Sequence, residues 1–220
     1  MTLQPAPCAP HYPSPSARGV DLGIHVGGLI FAAVGGAFLF ALSAGQRSLD
    51  KSIAIAVYVV GLLAMLVCSA AYNFSSERRR ALLRRLDHAG IFLMIAGTYT
   101  PFTVHALSGT WAVSMTSTVW GLAAGGALAR LFLPGIAKLF WVVVYLALGW
   151  LGVVAVGPLA ATLSRGAIFL LVAGGLVYSL GVAFYLMERL QYRRAIWHGH
   201  VIGAAIVHYF AVLKGVVLVH

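Results

Sequence analysis

The sequence predicts an all-α, polytopic membrane protein of seven transmembrane helices, with its N-terminus in the cytoplasm and its C-terminus outside. Three observations predict this fold class: 61% of the 220 residues are hydrophobic, only 9% are charged, and the mean hydropathy is +0.93. Soluble globular domains do not reach these values. The net charge of +10 does not indicate nucleic-acid binding, because that function requires a basic face on a soluble module.

A helix needs roughly 20 residues to cross the hydrocarbon core, and seven apolar runs have about this length. They cover about residues 21–43, 53–73, 88–107, 111–131, 138–156, 166–186 and 195–217. The basic side chains give the orientation. The segment Ser69–Ile91 contains an arginine-rich connector. If this connector is cytoplasmic, eleven Lys and Arg residues lie on the cytoplasmic side of the membrane and four on the outer side. Cytoplasmic loops are expected to carry such an excess of basic residues.

The first twenty residues carry five prolines and no sustained apolar run. We therefore expect a disordered cytoplasmic tail over residues 1–20 and one membrane domain over residues 21–220. No basic segment opens the chain, and the first hydrophobic run is too long for a signal peptide. Cys8 and Cys68 lie in the tail and in the second span, so we expect no structural disulfide.

Polar and ionisable residues inside the predicted spans gather near the cytoplasmic face, and such residues commonly mark functional sites. Three spans carry a pair spaced four residues apart, hence on one helical face: Asp21 and His25, Ser69 and Asn73, and Arg194 and His198. Asp87 opens the third span, and His208 lies about 15 Å deeper than His198 by the helical rise. The pattern predicts a polar chamber near the cytoplasmic surface.

Simpler interpretations of these residues remain open. Ser69 is equally well explained as a small packing residue whose hydroxyl bonds back to its own helix. Asp87 is favoured by the helix dipole at the start of the third span. Arg194 is equally well explained as one more cytoplasmic arginine that reaches the headgroups.

Four motifs resemble the hemolysin III family. They are SAAYN (69–73), LDHAGI (86–91), IAGTYTPF (95–102) and IWHGHVIGAAIVHYFAVL (196–213). That family is the bacterial branch of the progestin and adipoQ receptors (PAQR), within a superfamily of membrane hydrolases that includes alkaline ceramidases. The resemblance implies seven helices in the bacterial inner (cytoplasmic) membrane and membrane lipids as partners. In well-preserved members it also implies a zinc ion on three histidines, which activates water against a lipid amide or ester.

This sequence departs from the family at the zinc site. Two of the three histidine positions are Asn73 and Arg194, and only His198 remains. Asparagine is a poor zinc ligand, and arginine has no lone pair to offer. We expect no zinc site of the family type. A rearranged site would draw on four residues: His25, Asp87, His198 and His208.

The candidate catalytic residues that remain at family positions are Ser69, Asp87 and His198. Asn73, Arg194, His208, Asp21 and His25 complete the candidate polar site. We further predict that Arg194 supplies the missing cation by pairing with Asp87.

Three functions are compatible with these sequence features. The first is a ceramidase-like hydrolase of lipid amides or esters with a degenerate zinc site. The second is a non-catalytic, receptor-like or lipid- or ion-binding membrane protein. The third is cytolytic pore formation, which has only the family name in its favour.

Overall fold

The computed structural model describes residues 11–133 and 135–219, and this part of the chain contains helices and no strand. Its α-helices are α1 (Pro15–Gly45), α2 (Leu49–Phe74), α3 (Glu77–His105), α4 (Gly109–Phe132), α5 (Lys138–Gly149), α6 (Val156–Thr162), α7 (Arg165–Leu186) and α8 (Arg193–Val212). A 3₁₀ helix, Leu151–Ala155, joins α5 to α6. A π-helical turn, Leu213–Val217, follows α8.

Six helical segments are long and apolar enough to cross a membrane. They are α1, α2, α4, α5 continued through α6 (Lys138–Thr162), α7, and α8 with its π-helical turn (Arg193–Val217). Large apolar side chains such as Val34, Leu122 and Phe169 cover their outer surfaces, as expected where the solvent is lipid. The prediction of an all-α, multi-pass integral membrane protein is confirmed.

Serine side chains begin several of these helices. Ser14 accepts a hydrogen bond from the Ala17 amide at the start of α1, and Pro15 occupies the first helical turn, where its missing N–H costs nothing. The tail expected over residues 1–20 is therefore corrected: residues 15–20 are the first turns of α1. Residues 1–10 of that tail lie outside the described residues.

The α2–α3 interface brings two backbones into contact. A Cβ atom added at Gly90 would lie 3.2 Å from Met65 Cα, and one at Gly97 would lie 3.2 Å from the Val57 carbonyl oxygen. Small residues allow such close approach of membrane helices. This contact holds the last turns of α2, which carry Ser69, beside the part of α3 where its buried face begins, which carries Asp87.

Helix α3 is 29 residues long and packs against both α2 and α4. It is absent from the six apolar segments because its later turns also carry polar residues, such as His88, Thr98 and Thr100. Its inner face is apolar or small, with buried Phe92, Met94 and Ala96.

Candidate functional site

A cavity of about 650 Å³ lies inside the bundle, lined chiefly by α2, α3, α5, α7 and α8. Seven of the eight polar residues selected from the sequence line it: His25, Ser69, Asn73, Asp87, Arg194, His198 and His208. Asp21, the eighth, does not line the cavity and is fully buried. A network of hydrogen bonds joins six of the eight, and Asp87 and His208 lie at its margin.

Asp21 is the central acceptor of the cluster. Its side chain has 0% exposure, and its two oxygens accept different hydrogen bonds. Tyr12 Oη donates to Oδ2 at 2.5 Å, and His198 Nδ1 donates to Oδ1 at 2.6 Å. Bonds from O–H and N–H donors to an ionised carboxylate are short and strong, so they offset much of the cost of burying the charge.

His25 lies one turn after Asp21 on α1 and faces α2. Its Nδ1 donates to the Asp21 backbone carbonyl at 2.9 Å and lies 3.7 Å from Asp21 Oδ1. A carbonyl only accepts, so the proton is on Nδ1 and Nε2 carries the lone pair. Nε2 is 3.2 Å from Ser69 Oγ and therefore accepts from the serine hydroxyl.

His198 on α8 is bonded to Asp21 and Asn73. Its Nδ1 is bonded to Asp21, and its Nε2 accepts from Asn73 Nδ2 at 3.4 Å. Asn73 Nδ2 also lies 3.0 Å from the Ser69 carbonyl oxygen and 3.5 Å from Ser69 Oγ. The histidine in hydrogen-bond contact with Ser69 is consequently His25, and not His198, the other histidine among the candidate catalytic residues.

Arg194 is held by the segment that precedes α1. Its Nε donates to the His11 carbonyl at 3.1 Å, its Nη2 lies 3.2 Å from His11 Nδ1, and its Nη1 donates to Asn73 Oδ1 at 3.4 Å. Over the described ranges 11–133 and 135–219, no ion pair joins Arg194 to Asp87. The predicted pair is therefore corrected: His11 and Asn73 supply nearer acceptors for the guanidinium.

His11 and Tyr12 belong to the site although the sequence pattern did not single them out. Burial and the charge of Arg194 lower the pKa of His11 to about 4, so its ring is neutral near pH 7 and can accept from Arg194. Burial and the hydrogen bond to Asp21 raise the pKa of the Tyr12 hydroxyl, so it stays a donor. The signal in the sequence was Ser14–Pro15, a helix start that places the two preceding residues over the end of the bundle.

Asp87 and His208 line the same cavity at the margin of the cluster. Asp87 is half-buried beside Ser69, and its carboxylate forms no ion pair with any residue that the structure describes. His208 Nε2 donates to the Leu171 carbonyl at 3.1 Å, and its ring packs on Tyr178. Asp87 is thus a carboxylate with no cation within 4.0 Å in the described ranges, whereas His208 belongs to the α7–α8 contact.

Three side chains of the cluster meet the distance requirement for a metal site. One ligand atom each from Asp21, His25 and His198 lies within 4.8 Å of the others, and catalytic zinc uses three protein ligands. As arranged, they do not fit a metal ion. Both Asp21 oxygens accept hydrogen bonds, and the Asn73 amide donates to His198 Nε2, the ring nitrogen that carries the lone pair. The chemistry proposed below therefore uses no metal.

The sequence is similar to those of several known proteins. A family model described as Haemolysin-III related matches residues 20–209. The chain is 34% identical to the Hemolysin-3 homolog of Bacillus subtilis (strain 168) over 177 residues, which are 80% of this chain and 83% of that protein. It is 36% identical to Hemolysin-3 of Bacillus cereus over 162 residues, 73% of this chain and 74% of that protein.

A mammalian protein is also similar. The chain is 29% identical to the Monocyte to macrophage differentiation factor of Homo sapiens over 194 residues, 84% of this chain and 79% of that protein. Each of these similarities spans most of the helical bundle described above.

Proposed function

This chain belongs to the haemolysin-III-related family, and from that premise we propose that it is a membrane-embedded hydrolase that cleaves an amide or ester bond of a lipid. The observation that carries the proposal is the 3.2 Å contact between Ser69 Oγ and His25 Nε2. A nucleophile, a base and a group that orients the base are the minimal set for acyl transfer. Ser69, His25 and Asp21 supply these three functions.

The chemistry follows from the proton positions. Ser69 Oγ attacks the lipid carbonyl carbon while His25 Nε2 takes the hydroxyl proton. The Asp21 backbone carbonyl holds the other ring proton, on Nδ1, and the Asp21 carboxylate 3.7 Å away stabilises the imidazolium. The imidazolium then gives a proton to the departing alcohol or amine. Water, deprotonated by His25, cleaves the acyl-serine and restores the hydroxyl.

Two further residues support this chemistry. Asn73 Nδ2, 3.5 Å from Ser69 Oγ, can donate to the substrate oxygen on which negative charge develops once it releases its 3.4 Å hydrogen bond to His198. The Asp87 carboxylate, which forms no ion pair in the part of the chain described, is available to orient the attacking water while His25 takes its proton. These assignments give both residues a function that needs no metal.

The cavity supports a lipid as the substrate. Away from the polar cluster it is lined by apolar side chains such as Met65, Met94 and Leu146, which suit an acyl chain. The Bacillus relatives support a bacterial cytoplasmic membrane as the location.

We also propose that α3 is a seventh crossing. Only residues 75–76 separate it from α2, and only residues 106–108 separate it from α4. A helix of 29 residues that packs on both neighbours through such short connections runs the length of the bundle. With seven crossings, the basic residues favour a cytoplasmic N-terminus and an external C-terminus.

Hydrolysis by the purified protein tests the proposed function. The protein in detergent micelles is offered fluorescent N-acyl sphingoid and acyl ester lipids, and release of the labelled acyl group is followed. We expect Ser69→Ala to lower the rate by about 10⁶-fold, as for loss of a serine nucleophile. Ser43→Ala is the matched control, since Ser43 is also buried but bonds to the Phe40 carbonyl of its own helix. Equal rates for the two variants would contradict the proposal.

One observation favours a non-catalytic function instead. The segment before α1 covers the cluster, with Tyr12 on Asp21 and His11 on Asn73, so these polar groups are already satisfied without a substrate. In that case the cavity binds a lipid and releases it unchanged. Mass analysis of lipid recovered after incubation separates the two functions, because a binding protein returns intact lipid whatever residue occupies position 69.

The cytolytic interpretation rests on the name of the Bacillus cereus relative. Dye release from liposomes that contain the purified protein tests it. We expect none, because the cavity belongs to a resident bundle with apolar outer surfaces.

A further inference from the structure

Basic side chains line the part of the cavity beside the turn between α4 and α5. Six basic and two acidic side chains line the cavity altogether: Arg84, Arg85, Arg130, Lys138, Arg193 and Arg194, against Asp87 and Glu188. Lys138 and Arg193 are already paired with Glu188. The excess of positive charge is therefore inside the bundle as well as on its surface.

Arg130 is the basic residue whose environment is least explained. It is half-buried in the last turn of α4, and its guanidinium carbon lies 5.0 Å from the centre of the Trp141 ring. The positive charge of Arg84 and the negative charge of Asp87 are both near enough to act on Arg130. Neither arginine has a carboxylate within 4.0 Å among residues 11–133 and 135–219. With a single carboxylate, Asp87, near these two guanidinium groups, this wall of the cavity keeps a net positive charge that attracts an anion.

Two buried N–H groups at the same place have no acceptor. Trp141 is 4% exposed and lines the cavity, and its indole N–H has no hydrogen-bond partner in the described residues. The Nε–H of Arg130 is likewise buried and unpaired within those ranges. Unpaired buried donors are uncommon in native proteins, because each forfeits the hydrogen bonds it makes in water.

The start of α5 adds further donors. The residue before it, Ala137, makes no side-chain cap, so the first amides of α5 remain free. Gly135, with φ of +94°, turns the chain towards this helix and lines the cavity. A helix N-terminus attracts anions through its free N–H groups and its dipole.

We propose that this part of the cavity is a binding site for the phosphate headgroup of a lipid. Two guanidinium groups, an indole N–H and uncapped amides suit a phosphate, which has several acceptor oxygens. The cavity also extends past Leu146 and Trp150, an apolar path that suits the tail of the same lipid. The site goes beyond the proposed hydrolysis and stands without it, since binding needs no reaction.

A simpler function for Arg130 and Arg84 is orientation of the chain by cytoplasmic positive charge. That function depends on charge near the membrane surface and not on contact with one ligand. Arg79 is the matched control for it, because it is exposed on the first turns of α3 and does not line the cavity. Arg130→Gln and Arg79→Gln remove the same charge.

The test uses two ether lipids that differ only in the phosphate, hexadecyl glycerol phosphate and hexadecyl glycerol. Ether linkages resist hydrolysis, so the result is independent of any catalytic activity. Titration calorimetry of the full chain in neutral detergent micelles gives the dissociation constants. We expect Arg130→Gln to weaken binding of the phosphate lipid by about 10- to 100-fold, as for a lost hydrogen bond between charged groups. Arg79→Gln is expected to bind like the unmodified protein, and all variants to bind the uncharged lipid equally.

Three results would overturn the proposal. The first is equal weakening by Arg130→Gln and Arg79→Gln, which would indicate general electrostatic attraction. The second is equal affinity of the unmodified protein for the two lipids. The third is displacement of the phosphate lipid by inorganic phosphate at the same concentration, which would indicate a site for free phosphate. Should Arg130→Gln fail to fold, Trp141→Phe removes one donor without a change of charge and is expected to weaken binding of the phosphate lipid alone.

Discussion

Replacement of Asp21 by alanine is the perturbation that the structure predicts most sharply. Asp21 is fully buried and accepts from Tyr12 Oη at 2.5 Å and from His198 Nδ1 at 2.6 Å. Alanine leaves both donors without an acceptor, at about 1–3 kcal/mol each, or roughly 2–6 kcal/mol together. Removal of a buried carboxylate recovers part of its desolvation cost. We therefore expect the lower part of this range, about 2–4 kcal/mol.

Thermal unfolding in detergent measures this loss. For a chain of this size, about 2–4 kcal/mol corresponds to a melting temperature lower by roughly 5–15 °C. Asp50→Ala is the matched control, since Asp50 is an exposed residue in the first turn of α2 and contributes only about 0.3–1 kcal/mol through the helix dipole. Asp21→Asn keeps the shape and one acceptor, so it should lie between the two.

The melting temperatures test whether the buried hydrogen bonds to Asp21 stabilise the protein. If Asp21→Ala melted within about 1 °C of Asp50→Ala, the two short bonds to Asp21 would contribute no more than an exposed carboxylate does. The cluster would then have no part in holding α1 against α8, and the orientation of His25 would need another cause.

Three further predictions follow from individual contacts. Tyr12→Phe removes the donor to Asp21, so amide hydrogen exchange over residues 11–14 should be about tenfold faster or more, as for loss of a hydrogen bond to a charged group; an unchanged rate would contradict the docking of this segment. Asn73→His combined with Arg194→His restores imidazoles at the family positions, and elemental analysis should find more zinc than in the unmodified protein. No gain in zinc would contradict our explanation of how these two residues remove the metal site. Gly174→Ala drives a Cβ into the His208 ring, whereas Gly121→Ala meets nothing within 4 Å; only the first should lower stability, by about 1–3 kcal/mol.

Hydropathy predicted which segments are helical better than it predicted the residues at which the helices begin and end. The run at 53–73 lies inside α2, which extends from Leu49 to Phe74, but α3 begins at Glu77, well before the apolar run at 88. The arginine-rich stretch is helical, and a hydropathy pattern detects only the apolar part of such a helix. The 3₁₀ helix between α5 and α6 also escaped prediction, because the whole segment is uniformly apolar.

Spacing along the chain predicted which residues share a face and not which faces meet. The four-residue spacing correctly placed Asp21 with His25 on α1, and the Asn73 amide with the Ser69 carbonyl on α2. It gave no information on the contact between His198 and Asp21, which depends on the rotation of α8 relative to α1. The engagement of Arg194 by His11 could not be predicted either, since it depends on a segment that has no apolar periodicity.

The most direct test of the proposed acyl transfer to Ser69 is the mass of the protein during turnover. The protein is mixed with an ester lipid, quenched in acid after a short interval, digested and analysed by mass spectrometry. We predict a peptide that carries the acyl group on Ser69, absent from Ser69→Ala and present in Ser43→Ala. Hydrolysis that proceeds without this adduct and at the same rate in Ser69→Ala would contradict the proposal.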